Sequence, residues 1–375
     1  MPSYVDINMD IPLGDGFRNP FGPGPTVSVE KNRVITLPSN DDVPVFIVIG
    51  DSTLLGLSVD DTSNGITDYS GAGVYLDNAE DGSAYGYVWN KWMTCTGAGG
   101  NTLTRSAAGV ILDETTSGTG WAPLTPRVGG NLPGFTKNFN TEVDEIAKFG
   151  PSPIWDMMVD LSGLFRNSSG DSVTPYICFF GYSTAGVGRA VGLSYHPDGG
   201  TLSFNLFDIV KKTYINPAVD NLLTAGKNPF LAGFIIMAGG ADASKLAPES
   251  NTASGAASYQ AIFDGLKTHL GVNTLPTVIA TPYNTGIPDD ETNYPLSSTS
   301  RMVSAAESFF NDGTVATFSP QGLLRDVGDS AGNRGVHFRA VSNRAYGKLL
   351  AGRYMNMLSW RGGSVVAPTL SGITF

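Results

Sequence analysis

The chain is poor in cysteine, histidine and charged residues, on which several functional classes depend. It holds 375 residues but only two cysteines and three histidines, and charged residues make up 15% of it. Cys95 and Cys178 are far apart and have no metal-ligand spacing, so neither a disulfide framework nor a zinc-type site is predicted. Cys178 lies in an apolar strand pattern and is expected to be a buried thiol. We expect no metal and no cofactor.

Charge and hydropathy exclude further classes. The net charge is −11 and no Lys/Arg cluster occurs, which argues against a nucleic-acid partner. No apolar stretch reaches membrane-spanning length, and the N-terminus lacks the basic-then-apolar pattern of a signal peptide. The sequence therefore predicts synthesis in the cytoplasm, no signal peptide and no membrane span.

Glycine and proline are abundant, with 47 and 23 residues, which indicates a loop-rich chain without low complexity. They are densest between Pro12 and Pro25, where neither a helix nor a central strand can form. Residues 1–42 therefore read as an extended N-terminal arm with a short strand near Val34–Leu37. An arm without a core must lie on its own domain or on a neighbouring subunit, and a free tail is the alternative. Residues 361–375 read as a C-terminal tail.

The stretch 43–56 organises the rest of the chain. An apolar run from Val43 to Ile49 predicts a strand buried on both faces, and it ends in Gly50-Asp51-Ser52. Apolar residues resume behind it as a helix would begin, so Ser52 stands at the carboxyl end of a strand, where ligands bind in open α/β sheets. The alternative is a loop serine that caps a helix.

Alternating strand and helix patterns extend the fold beyond this strand. Residues 57–135 predict an irregular β-rich insertion, with short strands at 85–89 and 108–113. From residue 150 onward we predict strands at 176–180, 230–237, 277–281 and 314–318. We predict a first helix with Pro151 and Pro153 in its first turn and an apolar face that extends to Leu164, and further helices at 204–215, 217–223, 259–270, 302–310 and 339–358. This order predicts a mostly parallel sheet covered on both faces within one domain, residues 43–360.

Serine nucleophiles need a base and oxyanion donors, and the sequence offers candidates for both. His269 sits late in a helix and is expected to be a surface or helix-end residue, and His196 precedes a turn. His337 lies just before the last helix and is the candidate base. The glycine-rich loops around Gly186 and Gly239 follow strong strands and could supply backbone N–H donors.

A nucleotide-binding protein is the weaker class. No Gly-x-x-x-x-Gly-Lys-Ser/Thr motif occurs, and Gly186-Val-Gly188 lacks the third glycine of a dinucleotide fingerprint.

Several short motifs occur in the order of a known family. They are Gly50-Asp51-Ser52-Thr53, Trp121-Ala-Pro-Leu124, Phe149-Gly150-Pro151, the glycine-rich block Phe179–Gly188, Ala238-Gly239-Gly240-Ala241-Asp242-Ala243, and Val336-His337-Phe338. Over roughly residues 43–356 this layout resembles the SGNH (GDSL-type) hydrolases, and more closely their sialate O-acetylesterase-like carbohydrate esterase branch.

The resemblance implies a three-layer α/β/α sandwich and hydrolysis of O-acetyl or similar small acyl esters, with a glycan as the ester-bearing substrate. It implies Ser52 as nucleophile and His337 as general base. The N–H groups of Ser52, Gly186 and Gly239 are the implied oxyanion donors.

Two positions depart from the family pattern. The carboxylate that orients the histidine stands three residues before it in the family, where this chain has Arg334, which cannot accept a hydrogen bond. Asp329, or alternatively Asp326, is expected to take that role. The polar side chain of the third glycine-rich block falls at Ala238, which has no side-chain donor.

A second hypothesis therefore stands beside the esterase: a structural or glycan-binding protein on the same scaffold, with impaired or no catalysis. The acidic, glycine-rich chain with its arm is typical of a virion component, such as a phage structural protein. Under either hypothesis, we expect the arm to mediate a homo-oligomer or a particle assembly.

Overall fold

The computed structural model describes residues 34–51, 53–54, 82–89, 94–97, 110–113, 120–124, 152–181, 185–200, 205–244, 252–281, 296–309, 314–318 and 340–360. Its strands are β1 (Ile35–Thr36), β2 (Asp42–Gly50), β3 (Tyr87–Trp89), β4 (Thr94–Gly97), β5 (Val110–Asp113), β6 (Trp121–Pro123), β7 (Phe165–Arg166), β8 (Tyr176–Gly181), β9 (Asn228–Met237), β10 (Thr277–Ala280) and β11 (Val315–Phe318).

Seven of these strands form one sheet in the order β11-β10-β9-β2-β8-β3-β6. All neighbouring pairs are parallel except β3 and β6, which are antiparallel. The predicted mostly parallel sheet is therefore confirmed, and the strand predicted to organise the chain, β2, lies near its centre.

The helices are α1 (Pro153–Asp160), α2 (Leu206–Ile209), α3 (Asn216–Thr224), α4 (Gly240–Ser244), α5 (Thr252–Leu270), α6 (Leu296–Glu307) and α7 (Ala340–Trp360). A π-helical segment, Val210–Ile215, joins α2 to α3. At its end the Asn216 N–H donates to Lys211 O, five residues earlier. Pro217 has no N–H with which to continue an α-helical ladder, which fits this change of register.

The core lies on both faces of the sheet because the side chains of β2 alternate. Val45 and Ile47 pack into one apolar cluster with residues of α2, α3, α5 and α6. Phe46 and Val48 pack into the other with residues of α1 and α7. These four side chains are fully buried, as a strand covered on both sides requires.

Part of the predicted β-rich insertion belongs to the main sheet. β3 continues the sheet beside β8 and β6 pairs with β3, while β4 and β5 pair with each other. The short strand predicted near Val34–Leu37 is β1, which pairs in parallel with β7. Of the predicted arm, residues 1–33 lie outside the described residues. The predicted tail, residues 361–375, also lies outside them.

Cys178 on β8 is a buried free thiol, as its apolar surroundings predicted. Burial raises the pKa of this thiol to about 12. Among the described residues, none of the helices combines the length and apolar character that crossing a bilayer requires.

Candidate functional site at the carboxyl edge of the sheet

Three central strands end level with one another. Gly50, the last residue of β2, is in register with Gly181 at the end of β8 and with Met237 at the end of β9. The Asp51 N–H donates to Met237 O over 2.9 Å, which continues the pairing past the strand. The segments that follow these strands therefore meet at one edge, as the sequence predicted for Ser52 and the glycine-rich loops.

Asp51 is a buried carboxylate at this edge, with 3% of the residue exposed. Its Oδ1 accepts the Thr53 N–H at 3.0 Å, and the Gly240 N–H also donates to the carboxylate. Burial is the main cause that raises the pKa of Asp51 to about 7, and the nearby Asp242 carboxylate adds to the rise. The Asp51–Thr53 hydrogen bond spans the position of Ser52.

Asp242 on α4 joins two of the converging segments. Its Oδ2 accepts the Val187 N–H at 2.9 Å and its Oδ1 accepts the Gly188 N–H at 2.8 Å. The residue is fully buried. The segment after β9 is thereby tied to the segment after β8.

Gly186 lies at the edge where the sequence predicted it, but its N–H donates to Leu193 O at 2.9 Å. Its own carbonyl accepts the Tyr195 N–H at 2.9 Å. The N–H groups of Gly186, Val187 and Gly188 thus all have partners inside the protein. The Gly186 N–H would have to leave Leu193 O before it could bind an oxyanion.

Gly239 follows β9 with a φ of 133°, in the left-handed region that favours glycine. Among the described residues, its N–H donates to no backbone carbonyl. The neighbouring Ala238 is fully buried, and its carbonyl accepts the Tyr259 hydroxyl at 2.7 Å. Ala238 carries only a methyl group, so its side chain adds no hydrogen-bond donor to the edge.

Three buried tyrosines donate hydrogen bonds to backbone carbonyls at or just after the ends of strands. The hydroxyl of Tyr195 donates to Gly50 O at 2.6 Å and that of Tyr346 donates to Thr281 O at 3.0 Å. Tyr259 makes the third such bond, to Ala238 O. Burial raises the pKa of Tyr259 and Tyr346 well above the usual value, so both hydroxyls are protonated donors at neutral pH. No sequence motif marks these tyrosines, because each reaches a carbonyl far away along the chain.

The predicted reacting groups, Ser52, His337, Asp329 and the alternative Asp326, lie outside the described residues, and so does Arg334. Their roles and mutual geometry stay predictions. The structure describes the residues on either side of position 52 and parts of the two glycine-rich segments at the same edge of the sheet.

The other two histidines have hydrogen-bond partners among the described residues. His196 is largely buried, and its Nδ1 accepts the Asp198 N–H at 3.1 Å within a turn. His269 is half-buried near the end of α5, 2.6 Å from Asn216 Oδ1, and burial lowers its pKa. Within the described part of the chain, no group of three or more His, Cys, Asp or Glu side chains is placed to hold a metal ion.

Comparison with known proteins gives matches among solved structures. No protein-family model matches the chain, and no curated protein matches it. NanS is 13% identical, with a TM-score of 0.50 over 87% of this chain and all of that one.

Two further structures are less similar. A carbohydrate acetylesterase from Xanthomonas citri is 12% identical, with a TM-score of 0.45 over 82% of this chain and 54% of that one. A carbohydrate acetylesterase family member from Sinorhizobium meliloti is 12% identical, with a TM-score of 0.36 over 55% and 86%. At such identities the likeness is one of fold. The chain has the fold of NanS, and the resemblance predicted from its motifs is confirmed at that level.

Proposed function

We propose that this chain is a serine esterase that removes O-acetyl or similar small acyl groups from a carbohydrate, on a three-layer α/β/α sandwich. One observation carries the proposal: the segments that flank Ser52 and both glycine-rich blocks converge at the carboxyl edge of β2, β8 and β9. The fold shared with NanS supports it.

In the proposed reaction the Ser52 hydroxyl attacks the ester carbonyl while His337 takes its proton. The tetrahedral intermediate collapses, His337 returns the proton to the sugar oxygen, and an acyl-serine remains. Water activated by the same histidine then releases acetate and restores Ser52. Asp329, or alternatively Asp326, orients the imidazole, because this chain has Arg334 at the position where the family has the orienting carboxylate.

The oxyanion of the intermediate needs N–H donors aimed at it. The proposed donors are the N–H groups of Ser52 and Gly239. Gly186, the third predicted donor, contributes only if its N–H exchanges Leu193 O for the oxyanion. With Ala238 in place of a side-chain donor, we expect a slow enzyme, because one oxyanion donor is worth about two to three orders of magnitude in turnover.

The test is acetate release from p-nitrophenyl acetate and from an O-acetylated sialic acid. Wild-type protein is compared with Ser52→Ala, with His337→Ala, and with Asp264→Asn as a control on the exposed face of α5. We expect the Ser52 and His337 variants to lose at least about a thousand-fold in kcat/KM, and the control to keep wild-type activity. Equal rates in wild-type protein and Ser52→Ala, both folded by circular dichroism, would overturn the proposal.

A second candidate is a glycan-binding or virion structural protein on this scaffold. Two observations favour it. The backbone N–H groups of 186–188 already have partners inside the protein, and the methyl group of Ala238 cannot donate a hydrogen bond to an oxyanion. Under this candidate, wild-type protein and Ser52→Ala bind an O-acetylated glycan with equal affinity in calorimetry, and neither releases acetate.

A further inference from the structure

Asn343, near the start of α7, is a fully buried residue that has none of the roles proposed above. Within the described part of the chain, neither its Nδ2 nor its Oδ1 has a hydrogen-bond partner. A buried amide without partners lowers stability, because it gives up its bonds to water and gains none in return. Asparagine is also a poor helix former, so neither packing nor helix propensity accounts for this residue.

The direction of α7 places Asn343 at the carboxyl edge of the sheet. The Tyr346 hydroxyl, near the start of the helix, donates to Thr281 O just beyond β10. About two turns later, the Tyr354 hydroxyl donates to Ala232 O in the middle of β9. The helix therefore runs antiparallel to the strands. Asn343 lies one turn nearer the edge than Tyr346, and helical side chains lean toward the N-terminus.

The start of α1 lies at the same edge. Its N-cap, Ser152, donates from Oγ to Leu54 O at 2.8 Å, two residues after the proposed nucleophile. Gly347 is four residues after Asn343 and on the same face of α7, and a Cβ on Gly347 would collide with Pro153 O. The unpaired amide is therefore on the face of α7 that meets the start of α1, beside the segment that follows Ser52.

The amide restricts the chemistry of a ligand that could pair with it. Nδ2 needs an acceptor and Oδ1, beside it, needs a donor. A carboxylate has no donor, and a trans secondary amide has its N–H and C=O on opposite sides. Two hydroxyls on adjacent carbons fit, since each hydroxyl can both donate and accept. The amide is shielded from water in the free protein, so the side chains around it must move apart when a diol binds.

We infer that Asn343 is a substrate-binding residue of the proposed esterase, and that its substrate is a sugar with two adjacent free hydroxyls. This inference rests on the proposed function and narrows its substrate class. One hydroxyl accepts from Nδ2 and its neighbour donates to Oδ1, so both atoms gain a partner together. A deoxy sugar would leave one of them unpaired, and sites built on buried hydrogen bonds discriminate strongly against such analogues.

The first test needs only wild-type protein. Methyl 6-O-acetylglucoside has adjacent hydroxyls, whereas its 3-deoxy analogue keeps the ester but has no adjacent pair. The corresponding galactosides present the second arrangement of adjacent hydroxyls. We expect kcat/KM to be at least about tenfold higher for the complete sugar in one pair or both. Equal kcat/KM within both pairs would overturn the inference and leave the esterase proposal intact.

Asn343→Leu distinguishes substrate binding from a structural role. We expect the preference for the complete sugar to fall to about one, mainly through KM, because the lost bonds act on substrate binding. The variant should be at least as stable as wild type in urea, since it removes a buried amide without partners. Asp264→Asn, on the exposed face of α5, is the control and should keep the preference. A folded Asn343→Leu that keeps the preference, or that is less stable than wild type, would overturn the inference.

A binding measurement makes the test independent of turnover. In Ser52→Ala, the side-chain amide resonance of Asn343 should shift during titration with the complete 6-O-acetyl sugar and not with its 3-deoxy analogue. No shift with either complete sugar would overturn the inference. A shift without acetate release from wild-type protein would support the Asn343 site and overturn the proposed function instead.

Discussion

Arg344 on α7 holds Asp156 on α1 through two nitrogens, with Nη2 3.0 Å from Oδ1 and Nε 3.2 Å from Oδ2. The Asp156 side chain is 2% exposed, whereas that of Arg344 is 30% exposed. The pair therefore joins a buried anion to a cation that reaches solvent. It fixes α7, which begins three residues after His337, against α1.

This asymmetry predicts unequal effects of removing either partner. Arg344→Met strands a buried carboxylate, and we expect a loss of about 3 kcal/mol in the free energy of unfolding. Asp156→Asn keeps the volume and leaves the partly exposed Arg344 cation within reach of water, so a loss of about 1 kcal/mol is expected. Urea unfolding of both variants measures the difference.

The double variant provides the control for this prediction. Because Asp156→Asn/Arg344→Met removes both charges of the pair, it should be more stable than Arg344→Met alone. Equal losses for the two single variants, or a double variant at the sum of both, would contradict the description of the pair.

Gly347 lies where α7 crosses α1 at close range. A Cβ at this position would lie 2.1 Å from Pro153 O and 2.9 Å from Asp156 Cβ. Alanine would gain about 1 kcal/mol of helix propensity. The backbone carbonyl cannot rotate away, however, and overpacking costs about 1–3 kcal/mol or more. We expect Gly347→Ala to lower the melting temperature, as measured by circular dichroism.

Gly265 on α5 is the matched comparison. A Cβ there would meet Phe207 Cζ at 2.7 Å, which is the end of a side chain rather than backbone. A ring can shift, so Gly265→Ala should cost less than Gly347→Ala. The reverse order would show that the α1–α7 crossing relaxes more easily than its geometry implies.

The sheet was predictable wherever an apolar run determines a strand. The runs that became β2, β8 and β9 are buried on both faces, and such strands are marked by continuous hydrophobicity. β3 and β6 are only three residues long, and their places in the sheet depend on pairing across a glycine-rich stretch. Local pattern carries no information about such pairings, so β3 was predicted as a strand without a place in the sheet and β6 was not predicted as a strand.

The candidate site was likewise predictable only in part. Glycine-rich turns after strands predicted which segments converge, because parallel strands bring their carboxyl ends to one edge. The partners of individual amides were not predictable. The engaged N–H of Gly186 and the two bonds to Asp242 depend on loop geometry between residues far apart in sequence.

The Tyr195 hydroxyl donates a hydrogen bond to Gly50 O at the end of β2. Tyr195→Phe deletes this donor and leaves the carbonyl in a fully buried setting, where a lost partner costs about 1–3 kcal/mol. We expect a loss in this range by urea unfolding, and a fall in acetate release because Gly50 precedes the proposed nucleophile by two residues.

Tyr87→Phe on β3, which lies between β8 and β6 in the sheet, is the control, since the Tyr87 ring stacks on Tyr176, the first residue of β8, away from the carboxyl edge. It should change the free energy of unfolding by less than Tyr195→Phe. If both variants match wild type in stability, the Tyr195–Gly50 bond does not support the strand end.

Asp51 should make stability depend on pH in a direction opposite to that of an ordinary salt-bridged carboxylate. Its pKa is about 7 in the folded protein against a usual value of 3.8, chiefly because burial disfavours the charged form. Between these values the folded state binds more protons than the unfolded state. The contribution of Asp51 to stability is therefore fully present below pH 4 and is lost as the pH rises through 7.

A rise of this size corresponds to a change on the order of 4 kcal/mol between those limits. Other carboxylates titrate over the same range, so the measurement is the difference between wild-type protein and Asp51→Asn in urea unfolding at pH 4.5, 6 and 8. We expect wild-type protein to lose stability relative to the variant as pH rises, because the neutral asparagine pays no cost for ionisation. A constant difference across these pH values would show that the Asp51 carboxyl ionises as readily in the folded protein as in water.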